Sequence, residues 1–164
     1  MIFITVGSRE YQFDRLLKKI DKIFIDNKIN IECFAQIGNS AYIPQNYEYK
    51  RFLNSIEFET FQNKATLIIS HGGTGSLMTA IKKGKKVIGV PRNSAFKEHV
   101  DNHQFQIIET LTKQGFIVSD TSSDLNQLEN FILNKDKIRT KPYNSINKIH
   151  QIILDFLNDN KYNQ

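Results

Sequence analysis

The chain has one cysteine, no tryptophan and no long apolar run. A single thiol, Cys33, excludes an intrachain disulfide and any metal cluster held by cysteines alone. It falls in a predicted strand, where a buried, inert thiol is the expected state. No stretch approaches the roughly 18 apolar residues that a spanning helix needs. Met1-Ile2-Phe3-Ile4-Thr5-Val6-Gly7 has no basic preface and no cleavable leader. The expectation is therefore a cytoplasmic protein, with peripheral contact to a membrane or a membrane-bound partner left open. Several catalytic signatures are missing as well. There is no GxxxxGK[ST] phosphate loop, no GxSxG nucleophile elbow and no HExxH metal helix. No carboxylate pair announces glycoside hydrolysis.

What remains is the composition of an ordinary globular protein, 40% hydrophobic and 24% charged over 164 residues, enough for one domain with a sizeable core. The expected domain runs over 1–160, with a frayed tail over 161–164. The net charge of +5 suits nucleotides, anionic headgroups or nucleic acid. The lysines are dispersed, however, without the arginine–aromatic interleaving of an RNA-binding surface, so a nucleic-acid partner is not expected.

The hydrophobic pattern alternates between strands and helices. Ile2 to Val6, Ile31 to Gln36, Leu67 to Ser70 and Lys86 to Val90 read as strands, with a more exposed strand over Tyr47 to Phe52 and a short one over Phe116 to Val118. Helical spacing covers Phe13 to Phe24, Ile56 to Asn63, Ser76 to Lys83, Val100 or Asn102 to Gln114, Leu125 to Leu133 and Tyr143 to Leu157. This order predicts a Rossmann-like three-layer α/β domain with a mostly parallel sheet. Ligands gather beyond the carboxyl ends of such strands. Three loops converge there: Thr5 to Phe13, Ser70 to Ser76 and Pro91 to Gln104.

The most informative segment is His71-Gly72-Gly73-Thr74-Gly75-Ser76, a glycine turn between a strand and a helix. Such a turn aims backbone N–H groups at an anion, commonly a phosphate or diphosphate. Thr74 and Ser76 either donate to a ligand or cap the helix. His71 either binds a ligand, acts as a base, or is a structural histidine in a turn. Gly7-Ser8-Arg9 follows the first strand, where Arg9 faces a phosphate or a partner. Asp14 complements a helix start, and Gln36, Gly38, Asn39 and Ser40 form another polar strand end. Glu98, Asp101, Asn102, His103 and Gln104 suit hydroxyl recognition on a ribose or sugar. The competing reading has Asp101 and Asn102 capping a helix and Glu98 facing water. His99 and His103 are four apart beside two carboxylates, but the spacing is no zinc signature, so no metal is expected. Arg92 either offsets ligand charge or sits in a solvated loop.

Taken in order, Phe3-Ile4-Thr5-Val6-Gly7-Ser8, Phe13-Asp14-Arg15-Leu16, His71 to Ser76 and Glu98 to Gln104 resemble the C-terminal domain superfamily of family 28 glycosyltransferases. Within it, the chain is most similar to the small Alg13-like subunits of bacterial polysaccharide synthesis, including PssE-like proteins. The resemblance implies the C-terminal half of a GT-B glycosyltransferase, which holds a UDP-sugar donor and needs no cofactor. It implies an Alg14-like, membrane-associated partner that recruits this chain to the inner face of the cell membrane, and a polyprenyl-diphosphate-linked sugar acceptor in capsule or exopolysaccharide synthesis. A homodimer of the isolated subunit is compatible with it. Gly72 to Ser76 then face the diphosphate, and Asn102 and Gln104 hold the sugar. The general base belongs to the partner or is His71. Single-chain members of the superfamily often carry a ribose-binding Glu where this chain has Thr79, so ribose recognition is expected either to shift, with Glu98 as the candidate, or to be weaker. Two other readings stand beside this one: a non-catalytic enhancer subunit, and a regulator that binds some other nucleotide.

Overall fold

Apolar runs without polar interruption favour strands covered on both faces, and four such runs form the centre of one sheet. A computed structural model of the chain describes residues 1–143. The expected frayed tail, and all but the first residue of the helix expected from Tyr143, lie outside that range. The central strands are β1 (Ile2–Thr5), β2 (Cys33–Gln36), β4 (Leu67–Ser70) and β5 (Lys86–Gly89); β3 (Glu48–Lys50) and β6 (Val118–Ser119) are the edges. All pairings are parallel, in the order β3-β2-β1-β4-β5-β6. The predicted parallel sheet is observed.

Helices α1 (Asp14–Asp26), α2 (Ser55–Lys64), α3 (Thr74–Lys82), α4 (His103–Lys113) and α5 (Leu128–Leu133) cover the two faces. Alternation along the strands divides the core. Ile2, Ile4, Leu67, Ile69 and Ile88 pack with Leu16, Leu17 and Ile20 of α1 and Leu128 and Ile132 of α5. Phe3, Ile68 and Val87 point the other way, onto Leu77 and Ile81 of α3 and Ile108 and Leu111 of α4. Phe61 of α2 stacks on Phe3 and Phe34, and Phe58 meets the Phe3 ring edge-on, closing that side. Cys33 is buried, and desolvation raises its thiol well above the usual range. It is an inert core residue.

Element ends differ from the sequence reading for local reasons. The strand expected over Tyr47 to Phe52 stops at Lys50, because Leu53 N donates to the Gln36 side chain and Asn54 closes a capping box with Glu57. The strand expected at Phe116 forms two residues later; Phe116 N instead donates to Leu111 O and finishes α4. Leu125 has φ 53 and is outside α5, whose first turn is capped by Asp120 accepting from Gln127 N and Leu128 N. Asp14 does more than complement a helix start. Its carboxylate accepts from Ala41 N and Tyr42 N, and Asp21 holds Tyr42, Gln45 and Asn46, so α1 anchors the helix-free crossover from β2 to β3.

The strand order reverses at β1, whose neighbours β2 and β4 continue in opposite directions. The loops leaving β1 and β4 therefore part and leave a crevice at their carboxyl ends.

Candidate functional site

That crevice is a cleft of about 810 Å³, and the three loops singled out in the sequence line it. Its floor is the start of α3. Gly73 precedes the helix and no side chain caps it, while the first helical bond is Leu77 N to Gly73 O. The N–H groups of Thr74, Gly75 and Ser76 thus keep the positive end of the helix turned to the cleft. Thr74 and Ser76 do not cap; Ser76 Oγ pairs with Ser70 Oγ at 3.2 Å. At the mouth, Ser8 and Arg9 are exposed, with the Arg9 carbonyl held by Asn39.

His71 stands beside the start of α3. Its Nδ1 lies 3.2 Å from Thr5 O. A carbonyl only accepts, so Nδ1 carries the proton and Nε2 keeps its lone pair. Burial first, and the nearby Arg92 charge second, lower its pKa to about 4. The ring edge is wedged between two glycines. A Cβ at Gly7 would lie 2.5 Å from Nε2, and one at Gly73 would strike the same atom. Gly7 also has φ +82, a conformation that glycine adopts freely. Gly7 and Gly73 are both needed to seat the imidazole.

The low pKa has a pH consequence. Between the ordinary histidine value of 6.5 and the folded value of about 4, the unfolded chain binds the proton that the folded chain refuses. Stability is full above that window and falls as pH drops through it. The melting temperature should decline from pH 6.5 toward 4, and His71→Asn should flatten part of that decline.

The loop after β5 turns its charges inward. Arg92, 2% exposed, donates to the carbonyls of Val6, Tyr11, Gln12 and Glu98 and lies over the Phe13 ring. It borders the cleft, but its guanidinium is spent on backbone rather than left for ligand charge. Desolvation lowers its pKa to about 10. Glu98, expected at a ribose or sugar, is fully buried and does not line the cleft. It takes Nε and Nη2 of Arg15 in two bonds of 2.9 Å and also accepts from Asn93 N. Asn102, expected at the sugar, neither caps α4 nor lines the cleft; its Oδ1 accepts from Ser94 N and Oγ.

The rest of that segment does reach the cleft. Gln104 Oε1 accepts from Gly72 N and Arg92 N, clamping α4 to the glycine turn and leaving the amide NH₂ as a donor. Asp101 accepts from His103 N and stands 3.1 Å from His99 Nδ1. Both histidines and Asp101 form one rim. The opposite wall holds Gln36, Leu53, Phe58, Gln62, Thr79 and the Lys83–Glu59 ion pair of 3.2 Å; Gln36 and Thr79 stood out in the sequence, and the others were not foreseen as site residues. The available signal was a glutamine at position 62, one helical turn from Phe58 and beside Phe61, the two phenylalanines that pack on the sheet.

The sequence profile of the glycosyltransferase family 28 C-terminal domain matches residues 1–157. The UDP-N-acetylglucosamine transferase subunit ALG13 of Mus musculus is 26% identical over 124 residues, 70% of this chain but 10% of that protein. The subunit of the same description from Candida albicans is 28% identical over 168 residues, 98% of this chain and 53% of that one. This chain thus spans about half or less of the length of these relatives. Among solved structures, an NMR structure of ALG13 shares the fold with a TM-score of 0.56 at 17% identity, covering 88% of this chain and 89% of that one. The glycosyltransferase SnogD from Streptomyces nogalater matches with a TM-score of 0.52 at 20% identity, over 83% of this chain and 35% of that one.

Proposed function

The chain belongs to the glycosyltransferase family 28 C-terminal domain family, and on that premise we propose that it is the donor-binding subunit of a two-component glycosyltransferase. It has the Rossmann-like fold of one half of a GT-B enzyme. The donor is a UDP-sugar and the acceptor a polyprenyl-diphosphate-linked sugar in capsule or exopolysaccharide synthesis. An Alg14-like membrane-associated subunit completes the active site and brings this chain from the cytoplasm to the inner face of the membrane. The observation that carries this reading is the uncapped start of α3, open to a cleft at the strand-order reversal. No helix of the described residues is long and apolar enough to cross a membrane.

In the reaction, an acceptor hydroxyl attacks the anomeric carbon, the bond from that carbon to the β-phosphate oxygen breaks, and UDP leaves with the extra negative charge. The N–H groups of Thr74, Gly75 and Ser76 stabilise that charge where it develops. The proton of the hydroxyl goes to a base. A pKa of about 4 makes His71 a poor base near neutral pH. We therefore assign the base to the partner, and to His71 the holding of the two glycine loops in register. Gln104 Nε2 and the Asp101–His103 rim face the transferred sugar.

Co-expression with the partner and assay of UDP-sugars on a polyprenyl-diphosphate-linked acceptor tests the reading. Transfer by the complex alone is expected. Equal transfer by the partner alone would demote this chain to a dispensable or regulatory subunit. Gly75 gives a finer test. A Cβ there meets nothing within 4 Å, so Gly75→Ala fits; in the first turn of α3 it should stabilise the helix by up to about 0.5 kcal/mol, less than in a helix interior. The added methyl intrudes on the diphosphate, so the melting temperature should rise while UDP affinity falls.

A further inference from the structure

Gln62 of α2 is fully buried, yet it lines the cleft. Its Nε2 donates to Ser76 O of α3 at 3.4 Å. That contact fixes the amide's orientation, because the reverse would set two oxygens against each other. Oε1 at the other end has no hydrogen-bond partner; among the described residues no other buried side-chain N or O atom is in this state. A buried carbonyl left unpaired is costly, and such an atom calls for a group that completes it.

The surroundings narrow the chemistry of that group. Leu53 and Phe58 are apolar neighbours in the same wall. Gln36, 5% exposed, spends its Oε1 on Leu53 N, which leaves its amide NH₂ as a donor. Lys83 and Glu59 neutralise each other at the rim, and Thr79 donates its hydroxyl to Gly75 O. This arm of the cleft is therefore neutral and apolar, with amide groups set into it. The other arm is the anion cradle. Ser76 belongs to both, with its N–H in the cradle and its carbonyl on Gln62. A ligand that fills the cleft has an anionic end at the start of α3 and a neutral hydrogen-bond donor beside it.

We propose that Gln62 Oε1 accepts a hydrogen bond from the nucleoside half of a bound nucleoside diphosphate. The donor is a ribose hydroxyl or a ring N–H of the base. Gln62 is thereby the contact that separates a nucleotide from bare pyrophosphate. This rests on the donor-binding reading above and adds to it a residue that selects the nucleoside.

Calorimetric titration of the whole chain with UDP, 2′,3′-dideoxy-UDP and inorganic pyrophosphate tests it. The variants are Gln62→Met, which keeps the volume and removes the acceptor, and Gln62→Asn, which withdraws the carbonyl by one methylene. Gln62→Met should weaken UDP about three- to tenfold and leave pyrophosphate unchanged. Its melting temperature should stay close to that of the unaltered chain, because relief of the unpaired carbonyl offsets the lost bond to Ser76 O; a purely structural glutamine would give a clearly lower one. Gln62→Asn should lose UDP affinity in the same direction. If the dideoxy analogue no longer responds to Gln62→Met, the ribose hydroxyl is the donor; a loss that persists assigns it to the base. Unchanged UDP affinity in both variants, or a wild type that binds pyrophosphate as tightly as UDP, would overturn the role of Gln62 alone. A wild type that binds neither ligand would overturn the donor-binding reading, and this inference with it.

Discussion

Gly73→Ala should unseat His71 and disable the cleft. The new Cβ would lie well inside van der Waals contact of His71 Nε2, on a ring held from its other side by Thr5 O. Gly73 has φ −69 and ψ 115, which alanine adopts without strain, so the whole effect is steric. Overpacking of this kind costs about 1–3 kcal/mol. The functional loss should be larger, because the displaced ring pushes the glycine turn and the N–H groups of Thr74 to Ser76 away from the diphosphate. A shift of about 1 Å in a positioning element lowers turnover about a hundredfold. Urea unfolding and UDP titration read the two effects separately. His71→Ala on the Gly73→Ala background supplies the control. It removes the ring and should recover stability relative to the single variant without restoring transfer. Were the double variant no more stable than Gly73→Ala, the clash would not be the cause.

Glu98→Ala should act on stability rather than on donor recognition. The substitution deprives Arg15, 17% exposed, of both charge-assisted bonds and leaves Asn93 N without its acceptor. Removing one partner of a buried pair costs about 3–5 kcal/mol. The lower end is expected, because Arg15 keeps the carbonyls of Pro91, Ser122 and Ser123. That is still a large part of the roughly 5–15 kcal/mol that holds a domain folded. The melting temperature should fall steeply, while UDP affinity of the folded fraction stays near that of the unaltered chain. Arg15→Met together with Glu98→Met should cost less than Glu98→Ala alone, since no unpaired charge remains. A ribose-binding glutamate would behave the other way, with stability kept and UDP affinity lost.

The strand pattern and the glycine turn were legible because both are local. Leu67 to Ser70 forms the strand as read, and the His71 turn opens a helix at a strand-order reversal. The motif after β5 was legible as a loop that reaches the cleft but not in the direction of its side chains. A 3₁₀ turn at Ser94–Phe96 and the left-handed Lys97 redirect the chain, so Glu98 points inward and Asn102 back onto Ser94. The deciding partner of Glu98 is Arg15, 83 positions away, which no local spacing reveals. Arg92 misleads for the same reason. A charged residue near a ligand loop suggests ligand charge, yet four backbone carbonyls from three segments consume it. Gln62 escaped notice because a helix with two core phenylalanines reads as packing alone.

The most direct test of the central claim is the backbone amide NMR spectrum of the chain during titration with UDP. Binding at the strand-order reversal predicts the largest shifts at Gly72 to Ser76 and at Gly7 to Arg9, with Leu53 and the Gln62 side-chain amide following and the β3 edge unmoved. A saturating shift pattern centred elsewhere, with the amides of Thr74, Gly75 and Ser76 unchanged, would contradict it.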